Sequence, residues 1–327
     1  MLRQETSSFS AAGAPADTKR MKAIRIHNYG GPEVLEYEEV VVPTPAAGEL
    51  LIKVQAASVN PIDWKTRAGY LKDFFPHTLP FIPGWDASGI VEAVGSGVTK
   101  FKKGDEVYAK TNYDGTYAER AIVTETEAAL KPKSVDHVHA AAIPLAALTA
   151  WQALFEKAQL AAGQKILIHG AAGGVGSLAV QFAKWKGAHV IGTASAKNEA
   201  FLRELGTDEV VDYEKTRFDD VVEGVEVVFD TIGGDTQERS WRVLNKGGIL
   251  ISIVQPPAAE LAAKYGVRAE MLGMQPNSAQ LAEIAKLVDS GHVKLFVERV
   301  LPLSEARQAH ELSEKGHVRG KIVLKVV

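Results

Sequence analysis

Residues 165–197 read KILIHGAAGGVGSLAVQFAKWKGAHVIGTASAK. A short apolar run enters a glycine-rich turn, an amphipathic stretch follows, and a second apolar run, HVIGTAS, comes next. That succession predicts strand, turn, helix and strand, the opening unit of a doubly wound parallel sheet. Such a turn needs glycine at three places: for the tight bend, for the approach of a pyrophosphate, and for packing of helix on strand. Gly173 and Gly176 hold the second and third places, while Ala171 stands at the first with Gly170 directly before it. The amides that open the helix then face a phosphate. The segment therefore predicts a dinucleotide held by Gly170, Ala172, Gly173, Gly174, Val175 and Gly176; a turn that serves packing alone is the rival reading.

In NAD-binding versions of this unit an acid lies about 20 residues on, at the tip of the second strand, and bonds the ribose 2′-hydroxyl. Here the tip reads Thr193-Ala194-Ser195-Ala196-Lys197. A carboxylate would repel a 2′-phosphate, whereas Ser195 and Lys197 can bond one. The missing acid thus predicts NADPH rather than NADH, with Tyr213 at the third strand tip covering the adenine side. The alternative is that Lys197 is an ordinary exposed lysine.

Outward from this segment, strands and helices go on alternating: EVVDY, VEVVFDTIG, a helix over 236–244, GILISIV, a helix over 278–289, VKLFVERVLP, a helix over 304–315 and KIVLKVV. On the N-terminal side, residues 21–123 alternate apolar and polar with Gly and Pro between segments, which predicts a mostly antiparallel, barrel-like domain. Within it, ASGIVEAVGSGVTKFKKGDEVYAK (87–110) reads as two short strands joined by glycine turns and then a strand after Gly104-Asp105. Residues 139–160, HAAAIPLAALTAWQALFEKAQL, read as helical with Pro144 as an interruption. The expected division is a leader over 1–20, a first domain over 21–140 completed by 275–327, and a dinucleotide domain over 141–274.

Composition sets the limits. The chain has 327 residues, 46% hydrophobic and 24% charged, with net charge −3, which suits a two-domain globular protein. Acids and bases are mixed, so there is no electrostatic footprint for nucleic acid or an anionic membrane. No apolar run is long enough to span a bilayer. There is no cysteine, which removes disulfides, thiol catalysis, iron–sulfur clusters and cysteine-ligated zinc. Residues 1–20 lack the apolar centre of a secretory signal, and Glu5 and Asp17 argue against a transit peptide, so a disordered leader and a cytoplasmic location are expected.

Several separate motifs carry a family resemblance. NYGGPEVLEYEEVVVPTPAAGELLIKVQAASVNPIDWKTRAGY (28–70), PFIPGWDASGIVEAVGSGVTKFKKGDEVYA (80–109), AAIPLAALTAWQAL (141–154), GAAGGVGSLAVQFAKWKGAHVIGTAS (170–195) and HVRGKIVLKV (317–326) together resemble the medium-chain dehydrogenase/reductases, in their zinc-free quinone oxidoreductase branch. The resemblance implies a GroES-like catalytic domain and a Rossmann domain with the active site between them. Zinc relatives use cysteine ligands, which this chain lacks; with no Lewis acid to polarise an alcohol, reduction of a quinone or an α,β-unsaturated carbonyl by hydride from NADPH is what remains.

The same resemblance assigns candidate roles. Asn60 falls beside the nicotinamide and Asp63 is its structural or active-site partner. Lys65 stands where plant alkenal reductases carry a substrate-facing lysine, and Tyr70 is a candidate proton donor in a loop bordering the cleft. Thr149 is to face the nicotinamide, Ser252, Ile253 and Val254 the carboxamide, and Arg319 and Lys321 the cofactor phosphates. Against these stand plainer readings: Lys65 and Tyr70 as surface residues, Asp63 as a loop fixer, and Trp85 as core rather than pocket wall. The resemblance also implies a homodimer formed through the Rossmann sheets, with GGILISIV and VRAEMLGM as the edge. The partner expected is a small quinone, enone or enal, with no nucleic acid, membrane or metal. His137 and His139 have only Asp136 near them as a third ligand, and His169 is expected to be neutral at a strand tip. A rival of another class is an NADPH-binding sensor or RNA-binding member, which a basic stripe by the cleft would favour.

Overall fold

The computed structural model describes residues 19–112 and 114–327. The expected leader falls outside these residues except for its last two, and Arg20 already opens the first strand. In the first part of the chain β1 (Arg20–Ile26) and β2 (Leu35–Val41) form an antiparallel ribbon. Then follow β3 (Glu49–Val59), α1 (Pro61–Arg67), β4 (Asp86–Val94), β5 (Glu106–Lys110), β6 (Arg120–Thr124) and β7 (Ala128–Leu130). Helices α2 (His137–Ala141) and α3 (Pro144–Trp151) lead, through a wider turn over Gln152–Lys157, into the second part.

That second part is β8 (Lys165–Ile168), α4 (Gly174–Trp185), β9 (His189–Ala194), α5 (Glu199–Glu204), β10 (Glu209–Asp212), β11 (Val225–Asp230), α6 (Gly234–Ser240), β12 (Leu244–Ser252), α7 (Ala259–Tyr265) and β13 (Arg268–Met271). Helix α8 (Ser278–Asp289), β14 (Val297–Pro302), α9 (Ala306–Lys315) and β15 (Lys321–Lys325) complete the chain. Strands β8 to β13 make one parallel sheet in the order β10-β9-β8-β11-β12-β13. This is a doubly wound order with its switch point between β8 and β11, where ligands of such folds bind. The other large sheet runs β14-β15-β3-β4-β5-β7, with β6 also paired to β3. All its pairs are antiparallel except β14 with β15.

The local sequence explains these elements. The β8 run KILI is buried after its first residue, as a strand covered on both faces requires. Ala56 on β3 and Ala141 and Ala142 around α2 are small enough for that helix to lie on the sheet beside Val323 of β15. The helical stretch over 139–160 is interrupted at Pro144 as expected: α2 ends at Ala141, and Pro144 begins α3 at the first helical position, where its missing N–H costs nothing.

Three readings need correction. Residues 86–94 are one strand, β4, and residues 95–105 hold no strand. The helix expected over 236–244 stops at Ser240. Trp241 and Val243 fill the apolar cluster beneath the sheet, and the Val243 carbonyl accepts from Val225 N–H. Strand β12, which contains most of GGILISIV, is interior, between β11 and β13, so only β13 offers an edge on that side.

Candidate active site

The glycine turn stands at the switch point. Gly170 has φ +65°, so it makes the tight bend that Ala171 cannot. A Cβ on Gly176 would lie 2.3 Å from the Gly170 carbonyl oxygen and 2.7 Å from Ala171 Cα, so glycine here lets α4 seat against the strand end. At Gly173 a Cβ would meet nothing nearer than that carbonyl oxygen, at 3.4 Å. This position is open, and it leads into the unbonded amides of the first turn of α4, next to half-buried Gly174 and Val175. The turn thus has the cradle that a pyrophosphate fits.

At the tip of β9, Ser195 is buried and its hydroxyl accepts from Asn198 Nδ2 at 3.3 Å. Lys197 is exposed. Arg319 reaches this tip from the closing segment: its Nε donates to Asn198 Oδ1 at 2.9 Å, its Nη2 to the Lys197 carbonyl at 3.2 Å, and its guanidinium lies over Phe201. Tyr213 stands beside them, 51% exposed, with its N–H on the Ala194 carbonyl. Thr193 faces inward instead. It is buried, and its Oγ1 accepts from Gly170 N–H at 3.3 Å and lies 3.2 Å from His169 Nδ1. His169 is fully buried against Ser240 Oγ, and burial pushes it down to about 4. It is neutral, as expected, and it braces the turn.

The first sheet supplies the facing wall. Asn60 follows β3 in an extended conformation and opens α1, whose Pro61 takes the first helical position. Its side chain is 2% exposed. Nδ2 donates to Asp86 Oδ2 at 3.0 Å, and Oδ1 accepts from the Lys321 ammonium. Asp86 also accepts from Ser58 Oγ at 2.9 Å and, across the seam, from Leu145 N–H of α3 at 2.8 Å. Burial pushes Asp86 up and Lys321 down, each opposed by the other's charge. The three donors on Asp86 also oppose its rise.

Lys321 ties the halves together. Its stem lies against Gly174, where a Cβ would meet Lys321 Cδ at 2.7 Å, and its ammonium bonds Asn60 and the Val59 carbonyl. The neighbouring Gly320 N–H donates to the Ala172 carbonyl at 3.0 Å. This corrects the expectation that Lys321 reaches a cofactor phosphate: its charge is spent beneath Asn60. Of the two residues in that expectation, only Arg319 lies at the surface.

Asp63 is fully buried. Its Oδ2 accepts from Asn60 N–H at 2.6 Å and from Tyr117 Oη at 2.9 Å, and burial raises it well above the carboxylate range. Of the roles expected for Asp63, these bonds fit the structural one, because they fix the start of α1. Thr149 is buried in α3 and donates to the Leu145 carbonyl at 2.7 Å, which leaves its oxygen as an acceptor only. Ser252 donates to Asp230 Oδ2 at 2.9 Å, and that carboxylate also receives Gln237 Nε2 and the amides of Ile232 and Gly233. Ile253 and Val254 beyond it are half-buried.

Lys65 is half-buried with its ammonium 5.6 Å from the Trp64 ring centre. Tyr70 is 70% exposed. The bend at Gly69, with φ +82°, turns it outward onto Trp64 and a cavity of about 480 Å³ also lined by Gly30, Arg67 and Glu314. That cavity is walled by α1, the connection between β1 and β2, and the end of α9, not by the glycine turn. His137 bonds Ser88 Oγ and pairs with Glu106, while His139 closes on Asp136 at the start of α2. Among the described residues one trio, His27, Glu36 and Glu38, has metal-compatible spacing, and it lies on the half-exposed β1–β2 ribbon.

Two residues at this wall escaped the sequence reading. Asp86 was visible inside GWDASG, but its helix-capping donor is 59 residues away. Lys110 ends an unremarkable strand, VYAK, and nothing in its sequence setting shows that it is 3% exposed.

Comparison with known proteins agrees with this architecture. The family model for the alcohol dehydrogenase GroES-like domain matches residues 46–133, and that for zinc-binding dehydrogenase matches residues 205–324. An NADPH-dependent alkenal/one oxidoreductase, chloroplastic, from Arabidopsis thaliana is 36% identical over 99% of this chain and 86% of its own length. The quinone oxidoreductase from Coxiella burnetii superposes with a TM-score of 0.88 at 38% identity, over 94% of this chain and all of that one. Escherichia coli quinone oxidoreductase complexed with NADPH gives 0.86 at 30% identity, over 93% of this chain and all of that one.

Proposed function

This chain belongs to the medium-chain dehydrogenase/reductase superfamily, in its zinc-independent quinone oxidoreductase and alkenal reductase branch, and from that premise we propose that it is an NADPH-dependent reductase of quinones or α,β-unsaturated carbonyls. The observation that carries the reading is the seam at Lys321, which locks the glycine turn and Asn60 face to face. When bound, the reduced nicotinamide supplies a hydride. The chain's own part is to hold and orient. The amides from Gly173 to Gly176 take the pyrophosphate. Ser195, Lys197 and Arg319 take the 2′-phosphate, with Tyr213 over the adenine. Asn60, clamped between Asp86 and Lys321, fixes the wall beside the ring, with the Thr149 oxygen and the Ile253–Val254 backbone opposite. Lys65, half-buried beside Trp64, guards the substrate entrance. Asp63 and Lys321 act as positioning residues. Supporting the choice of NADPH are the absence of an acid at the β9 tip and the cofactor named for two of the relatives.

The test is loss of reduced-nicotinamide absorbance with phenanthrenequinone, with a short-chain alkenal, and with each cofactor. Turnover of at least one substrate with NADPH, and a higher KM for NADH, is expected. Cofactor binding without turnover of either substrate would overturn the proposal in favour of a sensor or RNA-binding role. Lys197→Ala combined with Arg319→Ala is expected to raise KM for NADPH roughly tenfold or more, the loss of two charge-assisted bonds, while KM for NADH stays level.

We extend the proposal to a homodimer through the β13 edge, whose outer side pairs with no strand among the described residues and which carries a 43% exposed Met271. No described helix is long and apolar enough to cross a membrane. A cytoplasmic location rests on Glu5 and Asp17 in the leader, and imaging of residues 1–20 fused to a fluorescent protein checks it.

A further inference from the structure

The first sheet carries a row of polar side chains of which the site above uses only part. Ser58 on β3 pairs in register with Asp86 on β4, and Asp86 with Lys110 on β5. Partners across neighbouring strands project to one face, so Lys110 shares the face on which Asp86 meets Asn60 and the start of α3. Ser58 and Asp86 have their hydrogen bonds. Lys110 does not: it is 3% exposed, its Nζ lies 4.4 Å from the centre of the Trp85 ring, and among the described residues its ammonium has neither hydrogen-bond nor ion-pair partner. The Trp85 indole N–H is likewise buried without an acceptor. A buried ammonium with unmet donors is costly unless something accepts from it. Here the ammonium and the indole N–H stand side by side, one strand beyond the clamp on Asn60.

We propose that Lys110 binds the carbonyl oxygen of the substrate and gives it the proton it takes up on reduction. This rests on the reductase reading. Hydride arrives at the carbon conjugated to the carbonyl, and the displaced electron pair moves onto the oxygen. One N–H bond of Lys110 breaks and an O–H bond forms. The neutral amine regains its proton from water. The substrate has then gained a hydride and a proton and is reduced by two electrons. An aromatic ring face under the ammonium keeps the cation in place without using its N–H bonds. Burial pushes Lys110 down to about 8, against the charges of Asp86, Glu127 and Asp114, the last paired with His77. That suits an acid working near neutral pH.

The test compares the wild type with Lys110→Met, Lys110→Gln and Lys65→Ala in the full chain. In the NADP+ complex, para-nitrophenolate serves as an oxyanion probe and its visible absorbance is followed. NADPH affinity, read by nucleotide fluorescence, reports that each variant is folded. Wild type and Lys65→Ala are expected to bind the probe, and both Lys110 variants to lose at least about tenfold in its affinity with NADPH affinity unchanged. Turnover should fall about 100-fold in the Lys110 variants, as for removal of one oxyanion donor. Equal probe binding by wild type and the Lys110 variants, including none by any, overturns the inference, as does loss of probe binding in Lys65→Ala alone. Probe binding that depends on Lys110 in a protein that turns over neither quinone nor alkenal supports the oxygen site and overturns the reductase reading.

Discussion

Two glycines three positions apart do different work, and their replacement separates fold from function. At Gly176 an added methyl would sit 2.3 Å from a carbonyl oxygen that cannot move without shifting the turn. Gly176→Ala is therefore expected to destabilise the protein by roughly 1–3 kcal/mol, as overpacking does, despite the better helix propensity of alanine. At Gly173, with φ −75° and only one atom within 4 Å, alanine fits the free protein. Gly173→Ala should leave the urea midpoint nearly unchanged while weakening NADPH roughly tenfold or more, because the methyl stands where the pyrophosphate approaches. Urea unfolding and fluorescence titration of both variants check the contrast. The sequence displayed these glycines plainly, because a bend and a close approach leave their mark on the residue itself. It did not display the partners of Lys321 or Lys110. A lysine has the same letter whether it meets a phosphate, an asparagine amide or an indole, and Lys321 meets its partner 261 residues away.

Among elements, legibility followed how local the cause was. Strands β8 to β13 and their helices were readable because apolar runs and amphipathic stretches alternate, although α6 was read too long where Trp241 and Val243 are claimed by the core under the sheet. The stretch 87–110 suggests two short strands before the one after Gly104-Asp105 because of its several glycines, and Gly89, inside β4, resembles a turn. It is instead a crossing point, where a Cβ would lie 2.3 Å from the Lys53 carbonyl oxygen of β3. Helix α3 is capped from outside, by Asp86 on Leu145 N–H, and only the folded sheet reveals that. Strand β13 bears a prediction of its own. With β12 on one side and nothing described on the other, it is the natural seat of a sheet continued across two subunits. Met271→Asp is expected to shift the protein from dimer to monomer in sedimentation at micromolar concentration, since a buried unpaired carboxylate at a shared edge is strongly unfavourable. An unchanged sedimentation profile would remove β13 from the interface.

The molecule as a whole should be sensitive to acid. His169 is pushed down to about 4 and His310, buried beside Arg67, to about 3. Unfolded, each takes a proton near 6.5. Their contribution to stability is thus complete above that value and is lost as pH falls toward their folded values, about 2 kcal/mol each at pH 5. Asp63, raised by burial, acts in the opposite sense. A comparison with His169→Gln isolates the histidine: its unfolding free energy should fall less between pH 7 and pH 5 than that of the wild type, and an equal fall would remove His169 from the account. One further consequence lies in the way β15 closes the first sheet. Ile322 pairs with Val59, 263 positions earlier, while the whole parallel sheet is drawn from the chain between them. The parallel sheet can therefore form from neighbouring segments alone, whereas the first sheet must wait for a distant strand, a slow step for any chain. Lys321 arrives on that strand, so the clamp on Asn60 is set at the end of folding, and competence to reduce a substrate becomes a late certificate of a correctly finished molecule.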